Sequence, residues 1–127
     1  LATADLADRV VLTGLRRDVP ELMATFDVFV LTSLWEGLPR VLPQAMASGL
    51  PIVCTLADGS AEAVEEGVTG FLSPKGWSEH LATNVVRLLE DDEMRRRMGE
   101  NGRARALEFS AEQMVADIHA LYQQMRR

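Results

Sequence analysis

Two residues with hydrogen-bonding side chains, Glu36 and Gln44, flank a Gly37-Leu38-Pro39 turn and the start of a helical pattern. A carboxylate in the loop and an amide on the helix can touch two parts of one extended ligand. Gly37 lets the backbone come close to that ligand, and Pro39 suits a first helical turn. The free N–H groups and the positive dipole end of the helix would face the loop and favour an anion. Gln44 falls about five residues in, ~7 Å along the axis at ~1.5 Å per residue. A second loop, Leu56-Ala57-Asp58-Gly59-Ser60, leads into Ala61-Glu62-Ala63-Val64. Both loops follow apolar runs that read as strands, and open α/β sheets bind ligands at the carboxyl ends of their strands. Spacing alone also fits a solvated acid and a surface glutamine.

Charge limits how such a ligand could be held. Between Arg40 and Lys75 there is no basic residue, while Asp58, Glu62, Glu65 and Glu66 are all acidic. A phosphate group there must rely on backbone amides or on cations from other segments. Over the 127 residues, 13 Lys+Arg face 19 Asp+Glu, a net charge of −6. That balance argues against nucleic acid or an anionic membrane surface as a partner. With 47% apolar and 25% charged residues, the chain reads as one soluble globular domain able to bury a core. Cys54 is the only cysteine, which excludes an internal disulfide and a thiolate metal cluster; within Pro51-Ile52-Val53-Cys54-Thr55 it reads as a small buried hydrophobe. No apolar run approaches the ~20 residues of a membrane span, and the first residues lack the basic stretch of a signal peptide.

The elements that must position these residues follow from hydrophobic patterning. Four runs, 10–13, 28–32, 51–55 and 70–73, read as strands. The second and third are continuously apolar and β-branched, as in a parallel sheet covered on both faces. Helical spacing appears between them at 20–26 and 39–48, the second closed by Gly49 and Pro51. After the last strand come an amphipathic helix over 78–90 and a highly charged one over 91–107. A third begins at Ser110-Ala111-Glu112-Gln113, a capping box, and carries a stripe of Met114, Ile118, Leu121, Tyr122 and Met125. The expected fold is therefore α/β, a partial Rossmann-like three-layer domain with a mostly parallel sheet of about four strands followed by three helices.

The segment from Ser33-Leu34-Trp35-Glu36-Gly37-Leu38-Pro39 through Gln44-Ala45-Met46-Ala47-Ser48-Gly49-Leu50-Pro51 resembles the donor-site signature of GT-B glycosyltransferases of family 4, also called group 1. The similarity continues through Asp58-Gly59 and Glu62 to Gly67-Val68-Thr69-Gly70-Phe71-Leu72. It implies the donor-binding part of an enzyme that moves a sugar from a nucleotide-diphosphate sugar to an acceptor, with retention of configuration and no metal or other cofactor. Glu36 matches the family glutamate that holds donor-sugar hydroxyls and is the catalytic candidate. Gln44 stands where relatives place a carboxylate on the nucleotide ribose. The amide can still accept a ribose hydroxyl, without the strength of a charged acceptor. The resemblance puts Ser33, Gly37, Leu38 and Pro39 beside the diphosphate or sugar. It also puts Gly14, Leu15 and Arg16 in the loop that brackets the base, and Glu62 near the donor.

The same resemblance implies a single truncated nucleotide-sugar-binding domain over 1–127, without the acceptor-binding domain, this domain's first two strands, or the Arg and Lys that neutralise the diphosphate. Alone, the chain is expected to be inactive. The parent protein is expected to be cytoplasmic, peripheral to the inner face of the membrane. The family's strand order is 3-2-1-4-5-6, with the runs here as strands 3, 4, 5 and 6. Losing strands 1 and 2 leaves an open edge, so the run at 10–13 is expected either to pair beside 28–32 or to leave that edge to a homodimer. A rival reading, resting on Gln44, is a non-catalytic nucleotide-binding or interaction module derived from the same fold.

Overall fold

The computed structural model describes Leu6 and residues 8–126. β1 (Phe29–Leu31), β2 (Ile52–Thr55) and β3 (Gly70–Ser73) form a parallel sheet in the order β1-β2-β3. The register pairs Phe29 with Ile52, Leu31 with Cys54, Ile52 with Gly70 and Thr55 with Ser73. Gly70 is required by this pairing, because a Cβ there would lie 2.0 Å from the Ile52 carbonyl oxygen.

All four residues of β2 are buried, as a continuously apolar central strand requires. Their alternation separates two cores. Ile52 and Cys54 face Met23, Leu42, Ala45, Met46 and Val64, which come from or follow α1 (Val19–Met23), α2 (Val41–Ala47) and α3 (Ser60–Ala63). Val53 and Phe71 face Leu88 and Met98 of α4 (Ser78–Glu90) and α5 (Asp92–Arg105). The three-layer expectation holds. Arg87 of α4 also spreads its guanidinium over the Phe71 ring, 5.0 Å from the centroid.

Among the described residues the sheet has three strands, where about four were expected. The run at 10–13 is coil, and Val11 and Leu12 are 84% and 81% exposed. Among the described residues β1 pairs only with β2, so pairing of 10–13 beside 28–32 does not occur. The physical reason is that a strand exists only through a partner's N–H and C=O groups, and β-branched composition cannot replace them. The open edge of β1 remains, with Val30 39% exposed.

The last three helices agree more closely. α4 has the expected bounds, and its charged successor α5 ends in a 3-10 turn, Ala106–Phe109. α6 (Ala111–Met125) starts as expected, with the Ser110 hydroxyl accepting from the Gln113 N–H at 3.1 Å. The Gln113 side chain does not close the capping box. It donates forward to Asp117 at 2.9 Å. The α6 stripe of Met114, Ile118, Leu121, Tyr122 and Met125 is exposed throughout. No helix among the described residues is long and apolar enough to cross a membrane.

Candidate functional site

The two loops nominated from the sequence leave the carboxyl ends of adjacent strands, 32–40 after β1 and 56–59 after β2. They meet backbone to backbone. A Cβ built on Gly59 would lie 1.8 Å from the Gly37 carbonyl oxygen and 2.8 Å from the Leu38 Cα. Gly59 has ordinary helical angles, φ −83° and ψ −5°, so its residue type is set by space and not by conformation. Gly37 differs. Its φ is not left-handed, and nothing lies within 4 Å of where its Cβ would be. Neither strain nor protein packing requires glycine at that position.

Glu36 is half-buried, Ser33 is half-buried just past β1, Leu38 is exposed and Pro39 is buried. Pro39 does not occupy the first helical turn as expected. α2 begins at Val41 with Arg40 at its N-cap, and Pro43 takes the first turn instead, where the missing N–H would have had no intrahelical partner. Gln44 follows on the exposed face, its carbonyl accepting from the Ser48 N–H and the Ser48 hydroxyl, both at 3.0 Å. Glu62 is exposed on α3, its N–H donating to the Gly59 carbonyl at 3.2 Å.

Gly14, Leu15 and Arg16 lie on the exposed coil before α1, Gly14 in a left-handed turn at φ +63°. The Arg16 guanidinium is engaged by both carboxylate oxygens of Asp18, with Nε to Oδ1 at 2.8 Å. That guanidinium holds the Asp18 carboxyl below the usual carboxylate range.

A crevice of about 170 Å³ also opens at the carboxyl ends of all three strands, lined by Thr32, Leu34, Thr55, Pro74, Trp77 and Leu81. At its rim Lys75, the only lysine, sits 5.9 Å from the centroid of the Trp35 ring. Behind the rim the His80 Nδ1 lies 3.0 Å from the Ser73 hydroxyl and 3.3 Å from the Asn84 amide nitrogen. His80 itself stays exposed on α4 while its ring is anchored to the end of β3.

Beneath the loops Cys54 and Ser60 are buried. Burial pushes the Cys54 thiol up to about 11; the Ser60 hydroxyl opposes that rise and Glu66 adds to it. The Ser60 hydroxyl is buried without a partner of normal hydrogen-bond geometry, a thiol being too weak a partner to satisfy it. Glu66, exposed beyond α3, accepts the Leu72 N–H at 2.6 Å. Among the described residues no three of His, Cys, Asp and Glu cluster so as to hold a metal ion.

Sequence reasoning missed the residues that grip these elements from behind. Arg105, on α5, donates to the Ala63 carbonyl at 3.0 Å and the Glu62 carbonyl at 2.9 Å. Arg103 donates to the Ser48 carbonyl at 3.3 Å, and its guanidinium covers Gly49 beyond the end of α2. These contacts join residues more than 40 positions apart, where local patterning is silent.

A model of the family glycosyl transferases group 1 matches residues 2–105. The chain is 35% identical over 123 residues to an N-acetyl-alpha-D-glucosaminyl L-malate synthase of Bacillus anthracis, covering 96% of this chain and 32% of that protein. It is 38% identical over 113 residues to a D-inositol 3-phosphate glycosyltransferase of Corynebacterium glutamicum, covering 84% and 26%. Among solved structures it resembles Anabaena Alr3699/HepE in complex with UDP and glucose, at a TM-score of 0.82 and 35% identity over 91% of this chain and 33% of that one. The chain therefore spans about a third of the length of the relatives it matches. A parallel sheet with two joined loops at its carboxyl edge and a family match over most of its length lead to one assignment: the chain belongs to the GT-B glycosyltransferases of group 1.

Proposed function

We propose that this chain is the donor-binding part of a glycosyltransferase that moves a sugar from a nucleotide-diphosphate sugar to an acceptor, with retention of configuration. The observation that carries the reading is the contact between the Gly37 and Gly59 loops, which makes one continuous backbone surface from the carboxyl ends of β1 and β2. Open space at the Gly37 Cβ position gives a diphosphate or sugar room to approach the chain, and supplies a reason for glycine that folding does not. A relative of this fold has been solved with UDP-glucose, so a UDP-linked sugar is the first donor to test.

In this reading Glu36 holds sugar hydroxyls, Gln44 accepts a ribose hydroxyl, and the amides following Gly37 meet the diphosphate or sugar. Gly14, Leu15 and Arg16 bracket the base, and Glu62 lies near the sugar. The protein's work is positioning of the sugar and electrostatic stabilisation of the departing diphosphate, with no metal. The stretch between Arg40 and Lys75 has no cation of its own, so diphosphate neutralisation falls to other segments of the natural protein. An acceptor-binding domain falls there too. We place the natural protein in the cytoplasm, with contact to the inner face of the membrane made by segments other than this acidic chain, and the open β1 edge in a homodimer when the chain is alone.

The test is calorimetry and product release with UDP-glucose and other nucleotide sugars, using the natural protein that carries this chain. Saturable binding and UDP release that Glu36→Ala clearly weakens support the reading. Nucleotide binding without turnover of any donor supports the non-catalytic module that Gln44 favours, and no binding at all refutes both.

A further inference from the structure

We infer that Arg105 is a positioning residue for this site, setting the register of the 56–59 loop against the Gly37 loop by gripping the far end of α3. The site it positions is the donor site proposed above, and the inference rests on that reading.

α3 is a single turn, Ser60–Ala63, too short to be stable alone, since a short helix fixes many dihedrals for few hydrogen bonds. Its C-cap residue Val64 is already extended, so the last carbonyls have no helix to continue into. Arg105 fills that gap. Its Nε and one terminal nitrogen donate to the Ala63 and Glu62 carbonyls at 3.0 and 2.9 Å, a planar fork that a single ammonium cannot copy. The remaining terminal nitrogen is 3.7 Å from the carboxylates of Glu65 and Glu108, beyond hydrogen-bond reach, so the two carbonyls carry the grip.

The other end of α3 is equally constrained. Gly59, its N-cap, lies against the Gly37 carbonyl, and the Glu62 N–H returns to the Gly59 carbonyl. The turn is thus held between a charged clamp and the neighbouring loop. α5 is itself fixed from behind: a Cβ on its Gly99 would lie 2.0 Å from the Gly49 carbonyl oxygen, and Arg103 donates to the end of α2. One helix therefore sets the height of both elements that follow the ligand loops, and the Arg105 grip falls on the backbone of Glu62 itself.

The test combines native-state hydrogen exchange without ligand and steady-state kinetics with UDP-glucose, on the natural protein. Arg105→Ala is expected to speed exchange of the hydrogen-bonded amides within 59–66 by at least about tenfold, with β2 and α4 unchanged. KM for UDP-glucose should rise by a similar factor while kcat changes less. Arg105→Lys should restore part of both effects. Glu65→Gln, which keeps the carbonyl grip, should match wild type in both exchange and KM. Unchanged exchange at 59–66 in Arg105→Ala, or acceleration spread evenly over the sheet and α4, overturns the inference. If the alanine variant does not fold, wild-type protection at 59–66 in the lysine variant overturns it equally. Local loosening in a protein that binds no nucleotide sugar supports the grip and refutes the donor reading instead.

Discussion

Replacing Gly59 by alanine separates the loop contact from every other property of that position. The backbone there is already helical, φ −83° and ψ −5°, so alanine introduces no strain and restricts the unfolded chain. That restriction alone would stabilise by ~0.4–1 kcal/mol. The added methyl, however, would start 1.8 Å from the Gly37 carbonyl oxygen, and ordinary contact begins at 3.4 Å, so the two loops must part by most of the difference. Overpacking of this kind costs ~1–3 kcal/mol, leaving a net loss of stability on the order of 1–2 kcal/mol. The effect on the site should be larger, because a ~1 Å misplacement of positioning groups can lower activity by ~100-fold. Gly67→Ala is the matched control. Gly67 has φ +73° and nothing within 4 Å of a Cβ, so it suffers left-handed strain of ~1–2 kcal/mol with no steric conflict. Urea unfolding should show similar losses for the two variants, whereas UDP-glucose titration should show a large loss of affinity in Gly59→Ala alone. Wild-type donor affinity in Gly59→Ala, or an equal loss in Gly67→Ala, would refute the reasoning.

Truncating Glu36 to alanine should cost ~1–3 kcal/mol of donor binding, because sugar hydroxyls lose their acceptor, while Gln44→Glu should keep activity and tighten binding; wild-type turnover in Glu36→Ala contradicts this. The Cys54 thiol, raised by burial to about 11, keeps its proton longer in the folded than in the unfolded chain. Stability should therefore be intact below the unfolded thiol pKa and fall as pH rises from about 9 toward 11, by roughly 2 kcal/mol. Cys54→Ala should lose that alkaline slope, and iodoacetamide should label the wild-type thiol only after unfolding; rapid labelling of folded protein would show the assignment wrong. By light scattering the isolated chain should be dimeric, and Val30→Lys on the open β1 edge should return it to monomer; a monomeric wild type rules out pairing through that edge.

The most legible features in the sequence were those whose cause is local. Gly70–Ser73 and Ser78–Glu90 appear with the bounds their patterning gave, because a short apolar run and an amphipathic stripe are properties of the segment itself. The coil at 10–13 shows the limit. Val10-Val11-Leu12-Thr13 has strand composition, and whether it becomes a strand depends on a partner that no property of the run encodes. Pro39 shows a smaller version: glycine and proline marked the turn, but the helix started two residues later, with Pro43 in its first turn. In the candidate site, the two loops were legible from their place after strands. Their mutual contact through Gly59, and the Arg103 and Arg105 grip on the ends of α2 and α3, were not. Those interactions depend on how α5 returns across the sheet. Tertiary packing of that kind leaves no periodic trace.

Donor binding by the joined loops is tested most directly by a crystal structure of the natural protein with UDP-glucose. The expected result places the sugar at Glu36, the ribose at Gln44, and the diphosphate against the backbone following Gly37, with Gly59 still seated under the Gly37 carbonyl. A donor bound elsewhere, such as in the Glu65–Arg105 cleft between the 65–69 loop and α5, with the Gly37 loop untouched, would contradict it.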